Sequence, residues 1–405
     1  MGLMSWWKNW RNQRQFKALN ENFDGFFDSL IKAGSASGVD VTWETALQCS
    51  VSFACARVIS EGMAQIPFRL MQQVEDRRNP ATGHYKYDLL NTNPNDLNTS
   101  FEFFETMGLH LSFCGNFFGY KVFQRGQLAA IMPWNPKCVK VDSSTGFPEY
   151  KLQKIDGTWM DVPRKYIWHV KGPSWDNVIG LDAVKLAREA IGLGLATEKH
   201  GAKLFSNGAT VGGILSTDQD LPAEKRDELR KSWQSRQAGG DNAWKTAVLW
   251  SGLKWLPQGF KNDESQFLET RQHQIEEICR FFRVMPIMIG YSDKASTYAS
   301  AEQMFLAHVV HTMGPWYRRI EKSADKFLLT SQERNGGFYT KFMPQALLRG
   351  SHKERSEFYR TMVEIKAMNP NEVRALEEMN PYKGGEAYEN PNITPGEGTG
   401  NEDTE

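Results

Sequence analysis

Residues 180–213, GLDAVKLAREAIGLGLATEKHGAKLFSNGATVGG, hold a helical pattern longer than most globular helices, and it stops in a short glycine-rich turn. Apolar side chains at Leu181, Val184, Ala187, Ile191, Leu195, Ala202 and Phe205 keep to one face, with Asp182, Lys185, Glu189 and Lys203 opposite. Arg188 and Glu198 interrupt the stripe, so burial along the whole length is not expected. At 1.5 Å per residue, roughly 26 residues reach about 40 Å, more than one domain radius. Such a rod either joins two separate masses or runs through the core of one large domain.

The rest of the chain supplies masses to join. Its 405 residues, 40% hydrophobic and 12% aromatic, are ample for two or three buried cores. Lys plus Arg and Asp plus Glu are 48 each, and this zero net charge argues against a tight, sequence-independent grip on nucleic acid while leaving loose contact open. Cys49, Cys55, Cys114, Cys138 and Cys279 are odd in number and show no C-x-x-C spacing, so neither a disulfide framework nor a thiolate metal site is indicated, and a reducing compartment fits. No window approaches 18 uninterrupted apolar residues, so no membrane span is expected.

Both ends differ from the middle. Residues 1–40 begin with Trp6, Trp7 and Trp10 alternating with Lys8, Arg11, Arg14 and Lys17, and lack the apolar region and cleavage site of a signal peptide. They read as a basic arm, free to dock on a partner or a membrane surface. Residues 383–405, with six acids against one lysine among Gly, Pro and Asn, are expected to be disordered.

Between them, a helix is predicted over residues 45–64, with Leu47, Val51, Val58 and Ile59 as its apolar positions. Thr99 and Glu102 have capping-box spacing and announce a second helix. The period then changes to two: residues 117–123, 128–134, 139–141, 150–153 and 166–170 read as a meander of antiparallel strands, with turn signals at Arg125-Gly126 and Asp156-Gly157. After the rod, a strand at 213–216, a helix capped by Asp220 with Pro222 in its first turn, a break at Gly239-Gly240, and strands TAVLW and LKWLP make a β-α-β-β module over residues 209–260. A second long helix, residues 265–284, carries Leu268, Ile275, Ile278 and Phe282 on one stripe and ends at Pro286, so the chain goes out along one rod and returns along the other. An exposed connection follows. Ser300 and Gln303 then open a third long helix to about residue 329, with Phe305, Val309, Met313, Trp316, Ile320 and Phe327 inward and a kink at Gly314-Pro315. A last helical region covers residues 351–378. The fold class is α+β.

Catalytic signatures are missing. No G-x-x-x-x-G-K-[ST] phosphate cradle occurs. Gly192 and Gly194 lie inside the helical pattern, where a dinucleotide loop does not fit. GSASG at 34–38 has Ala36 where a nucleophile elbow needs serine, and reads as a flexible linker. His308 and His311 lack a third metal ligand at helical spacing. No catalytic residue, metal site or cofactor is therefore assigned. The charged run Glu224, Lys225, Arg226, Asp227, Glu228, Arg230 and Lys231 is a solvated face or a docking surface.

The order of rod, module, rod, loop and kinked helix resembles the HK97-like portal proteins of tailed bacteriophages. The strings YDLLNTNPN, TSFEFFETMGLHL, GNFFGYKV, LAREAIGLGLATEKHGAKLFSNGATVGGIL, FLETRQHQIEEICRFFRVMPIMIG and NPNEVRALEEMNPY carry the likeness across residues 41–382. The resemblance implies a portal-type fold: wing (41–180), first stem helix (181–208), clip (209–260), second stem helix (261–285), tunnel loop (286–299), kinked long helix with a return to the wing (300–350) and crown (351–382). It also implies a ring of about twelve copies, closed by heterologous contacts, at one capsid vertex of the virion, assembled in the host cytoplasm.

Duplex DNA would pass that ring without sequence-specific contacts, and the terminase large subunit, a head-tail connector and the major capsid protein or scaffold would be its partners. In the tunnel loop, Asp293, Lys294, Ser296 and Thr297 would approach DNA phosphates, and Glu224 to Lys231 would face the terminase or connector. Duplex DNA carries one charge per ~1.7 Å, so a uniformly basic channel would hold it, whereas balanced charge lets it slide. The competing readings are a DNA-processing hydrolase, which needs clustered acids or histidines, and a capsid or scaffold component without a channel.

Overall fold

The Thr42 hydroxyl accepts the Thr45 N–H and the Thr42 N–H donates to the Thr45 hydroxyl in return, which starts a short helix, α1 (Trp43–Gln48). Cys49 is extended and separates it from α2 (Ser50–Ala64), so the single helix predicted over 45–64 is two. A computed structural model describes residues 35–143, 147–206, 213–217, 221–237, 253–257, 264–291, 298–344, 352–377 and 379–390. The chain divides into two units, Met1–Phe342 and Met343–Glu405.

The first unit continues with β1 (Phe68–Val74), β2 (Arg77–Pro80), α3 (Tyr85–Asn91) and α4 (Ser100–Cys114). Thr99 and Glu102 form the predicted capping box on α4. The predicted face holds only in part: Ile59 is buried as expected, but Leu47, on α1, is exposed and Val51 and Val58 are only half-buried, while Ser52, Cys55, Ala56, Ser60 and Met63 also face inward. Small residues are needed because α2 and α4 touch: a Cβ on Gly108 would lie 2.5 Å from the Ser60 Cα.

Strands β3 (Asn116–Gln124), β4 (Gln127–Trp134), β5 (Val139–Asp142), β6 (Glu149–Gln153), β7 (Trp159–Val162) and β8 (Ile167–Lys171) include the five predicted ones. They do not form a simple meander. The sheets run β4-β3-β8 and β5-β6-β7, because β8 returns to pair with β3, Phe118 opposite His169. Trp168, fully buried, meets Phe103 and Phe117 in the core between β8 and α4, and donates its indole N–H to Ser323 Oγ at 3.0 Å.

Next come α5 (Ala183–Leu186), α6 (Arg188–Ser206), β9 (Gly213–Ser216), α7 (Ala223–Gln237), β10 (Lys254–Pro257) and α8 (Glu264–Phe282). Asp220, Gly239-Gly240 and the strand TAVLW fall outside the described residues. Helix α8 ends four residues before Pro286, because Arg283 turns left-handed (φ 57) and Val284 N–H returns to the Cys279 carbonyl.

The third long helix is composite. It is α9 (Tyr298–Ala307), a π-helical stretch (His308–Met313) and α10 (Gly314–Phe327). Ser300 lies inside α9, so it is not the cap that its spacing suggested. The π-helical stretch directly precedes Gly314-Pro315, where a kink was expected, and shifts the helical phase. Beyond it Ile320 is buried as expected, but Tyr317, Glu321 and Ala324 are buried while Trp316 and Phe327 are only half-buried, and before it Phe305 is 56% exposed. The C-terminal carbonyls of α10 are held by buried lysines: Lys121 Nζ donates to the Phe327 carbonyl and Lys86 Nζ to that of Leu328, both at 2.8 Å.

After α11 (Ser331–Asn335), β11 (Phe338–Phe342) pairs antiparallel with β1 in the sheet β11-β1-β2. In the second unit, α12 (His352–Glu364) and α13 (Pro370–Leu376) replace the continuous region predicted over 351–378. Lys366 turns left-handed between them, and Asn369 caps α13 with Glu372. The expected disorder does not extend over residues 383–390. Asn371 N–H donates to the Gly385 carbonyl, Tyr388 hydroxyl to Glu372 and Asn390 amide to the Glu364 carbonyl.

Candidate functional site: the paired long helices and the module between them

The outgoing rod starts as α5, where Asp182 Oδ1 caps the Lys185 N–H at 3.0 Å and Oδ2 accepts the Trp43 indole N–H at 3.0 Å. Ala187, with ψ of 8°, separates α5 from α6, so the predicted single helix has a joint near its base. Burial follows the expected stripe only there. Val184, Ala187 and Ile191 are buried, Leu195 is half-buried, and Ala202 is exposed.

The returning helix matches it. On α8, Ile278, Cys279 and Phe282 are buried, and residues 269–273 are exposed. The two helices pack on each other, and α8 also packs on α2. The helices meet around Gly194, where an added Cβ would make only ordinary van der Waals contact, 3.5 Å from Ile278 Cδ1 and 3.8 Å from Cys49 Sγ. Cys55 and Cys279 meet at 3.8 Å, and their hydrogen bond raises the Cys55 thiol and lowers that of Cys279. Residues 35–38 are no loose linker. They form a turn against Gly192, and Glu189 accepts the Ala36 N–H at 3.0 Å.

A polar cluster that the sequence did not flag fixes where the rod begins. Asn116 Oδ1 accepts the Gly180 N–H at 2.6 Å and hydrogen bonds His169 Nε2 at 3.0 Å, while its Nδ2 donates to the Cys114 and Gly180 carbonyls. Tyr150 hydroxyl meets His169 Nδ1 at 3.1 Å. Burial, helped by Lys171, pushes the His169 imidazole down to about 3, so it is neutral at physiological pH. Gly115 (φ 69) is required beside it, since a Cβ would run into the Leu181 carbonyl. Short-range periodicity could not expose this cluster, because Asn116, Tyr150, His169 and Gly180 meet only once β3, β6 and β8 have assembled.

The π-helical stretch anchors the other rod. Thr312 hydroxyl donates to the Arg283 carbonyl at 2.6 Å, just past the end of α8, and Tyr317 hydroxyl to the Gly62 carbonyl at 2.8 Å. His308 is buried, with its imidazole pushed down by burial, and His311 is exposed. Among the described residues, no three His, Cys, Asp or Glu side chains gather as a metal site, and no helix is long and apolar enough to cross a membrane.

The module between the rods closes on itself. Strand β9 pairs antiparallel with β10, Gly213 opposite Pro257 and Ser216 opposite Lys254. Helix α7 presents Glu224, Lys225, Arg226, Asp227, Glu228, Arg230 and Lys231, all exposed, with Arg230 3.3 Å from Asp227. The other predicted set, Asp293, Lys294, Ser296 and Thr297, lies outside the described residues, between the 3-10 turn Pro286–Ile289 and α9.

Two long helices thus leave one core and are joined by a module held by the β9–β10 ladder. The phage portal protein family model matches residues 50–378, and the chain belongs to that family. It is 30% identical over 366 residues to the probable portal protein of Streptomyces phage phiC31, covering 87% of this chain and 79% of the relative. It is 28% identical over 350 residues to the portal protein of Enterobacteria phage HK97, covering 85% and 81%.

Among solved structures, a chain from the neck of an empty gene transfer agent particle superposes with a TM-score of 0.58 at 22% identity, over 87% of this chain and 98% of that one. An HK97-family phage portal protein from Corynebacterium diphtheriae gives 0.58 at 14% identity, over 76% and 98%. These likenesses bear on the fold: mixed helix and small sheets, as in portal proteins.

Proposed function

We propose that copies of this chain close into a ring at one capsid vertex and line the channel through which double-stranded DNA enters and leaves, a structural role without catalysis. In this reading α5, α6 and α8 are the stem, residues 209–260 the clip, residues 286–299 the tunnel loop and residues 351–382 the crown. The observation that carries it is the out-and-back pair of long helices closed by the β9–β10 ladder, in a chain that belongs to the portal family.

The physical support is twofold. A closed ring needs two different complementary patches on each subunit, and the rods carry exposed apolar side chains, Leu186, Leu193 and Phe281, suited to a neighbouring copy. Balanced charge, 48 against 48, allows DNA to slide. Asp293, Lys294, Ser296 and Thr297 would meet DNA phosphates, and Glu224 to Lys231 would engage the terminase large subunit or the connector, with capsid protein or scaffold around the wing.

Negative-stain images and native mass spectrometry of the purified full chain test the reading. Rings with an axial hole and about twelve copies, as closed cyclic symmetry allows, are expected; a monomer or a closed dimer under all assembly conditions overturns it.

A further inference from the structure

The sheet β11-β1-β2 has two unlike faces. Phe68 and Leu70 lie opposite Phe342 and Thr340, and that face turns to α10, where the Tyr317 and Phe342 rings are 4.9 Å apart. On the other face Arg69 stands directly opposite Lys341, and Gln73 directly opposite Arg78. Directly opposed residues of antiparallel strands share a face, and like charges in that relation repel. Burial adds to the conflict: the Arg69 Nε is a buried donor without a hydrogen-bond partner among the described residues.

Residues of the sheet and of α10 together line a crevice of about 310 Å3. The sheet contributes Gln73, Arg78, Tyr339, Thr340 and Lys341, and the helix Arg318 and Lys322. Among the described residues Glu321 is the one carboxylate in its wall, and it is already engaged. Its Oε1 accepts the Phe342 N–H at 3.0 Å, its Oε2 lies 3.5 Å from Arg318, and its residue is only 6% exposed. Asp325, the partner of Lys322, likewise spends Oδ1 on the Thr340 N–H and hydroxyl. Both carboxylates cap the outer edge of β11 and also pair with the helix cations, Glu321 with Arg318 and Asp325 with Lys322, so the uncompensated cations of the crevice are those of the sheet. Arg78 and Lys341 have no carboxylate within ion-pair distance among the described residues.

A space large enough for a polyatomic anion is thus lined by four cationic residues, of which Arg318 and Lys322 are paired and Arg78 and Lys341 are not, leaving it with an excess of positive charge. Arginine forks and lysine point charges together match phosphate oxygens. We infer that this crevice is a phosphate-binding site, filled by the backbone phosphates of duplex DNA or by a free polyphosphate. The DNA source rests on the proposed function; the site itself does not, because its binding is read on the purified chain whatever ring it forms.

The test uses the full-length protein, a short fluorescent duplex read by anisotropy, and tripolyphosphate read by calorimetry. The crevice variant is Arg78→Ala with Lys341→Ala, and the control removes the same charge elsewhere, Lys140→Ala with Lys165→Ala. Thermal midpoints confirm that both fold. For a DNA source, the crevice variant weakens duplex binding roughly tenfold and lowers the salt slope by about 2, near 0.9 for each phosphate no longer neutralised, while the control stays within about twofold. Loss of tripolyphosphate binding alone supports the site and assigns it to free polyphosphate. Equal behaviour of crevice variant and control toward both ligands overturns the proposal, as does binding of neither ligand by the wild type.

Discussion

At the base of α6 and α8, Val184, Ala187, Ile191, Ile278 and Phe282 are buried, and hydrogen bonds from Asn116, Thr312 and Trp43 fix the chain on every side. On α7, by contrast, every charged side chain from Glu224 to Lys231 is exposed, and Arg230–Asp227 is a solvated pair. The root is specified by what it touches within one subunit. The described charged face of α7 is open to solvent, as the proposed docking role requires. On that proposal the chain places its stability and its recognition in different regions.

The sharpest way to break this contrast is to damage the core beneath the root. Trp168→Ala removes a fully buried indole and its bond to Ser323, and should cost about 4 kcal/mol in denaturant unfolding. A loss below about 1 kcal/mol would mean that the root is not held by this core.

Acid is the next probe. Burial holds the His110 imidazole down to about 4, and burial together with Lys171 holds His169 down to about 3. Above pH 6.5 both are neutral folded or unfolded, and their contribution is complete. As pH falls below that, the unfolded chain takes up protons first, so stability is lost progressively toward pH 3. Between pH 7 and pH 4 the expected loss is about 3 kcal/mol per histidine at most, and His110→Phe should remove about half of the total. Urea midpoints measured across that range decide the point; a flat profile contradicts buried neutral histidines.

Asn116→Ala tests the polar cluster. It strands the Gly180 N–H and His169 Nε2, and should cost about 2 kcal/mol. Hydrogen exchange should show the chain at 180–187 opening before the rest of the unit.

The smallest stability effect belongs to the module. Reversing Glu224, Arg226 and Lys231 should shift the thermal unfolding free energy by less than about 0.5 kcal/mol, yet, on the proposed function, weaken binding of terminase or connector in a pull-down. If stability drops with it, α7 is part of the core and the contrast fails.

Much of this architecture is legible in the sequence where the signal is local. The Thr99–Glu102 capping box, the positive-φ turn at Arg125-Gly126, five strands and both rods follow from short-range chemistry and periodicity. Non-local events defeat the same reasoning. The π-helical stretch before Pro315 changes the phase, so Tyr317 and not Trp316 is buried, and β1 finds its partner β11 about 270 residues later. The Asn116–His169–Tyr150 cluster has the same cause, as does the crevice of Arg78 and Lys341: each joins residues from separate strands.

By itself the sequence determined an out-and-back pair of long amphipathic helices around a small module, because 3.6-residue periodicity and turn chemistry are written within a few turns of chain. Tertiary structure alone decided how far each rod is buried, that Ala187 and Cys49 break their helices, and which polar groups lock the root. Those outcomes depend on which surfaces meet, and side chains distant along the chain acquire a burial, a partner and a pKa only when the fold brings them together.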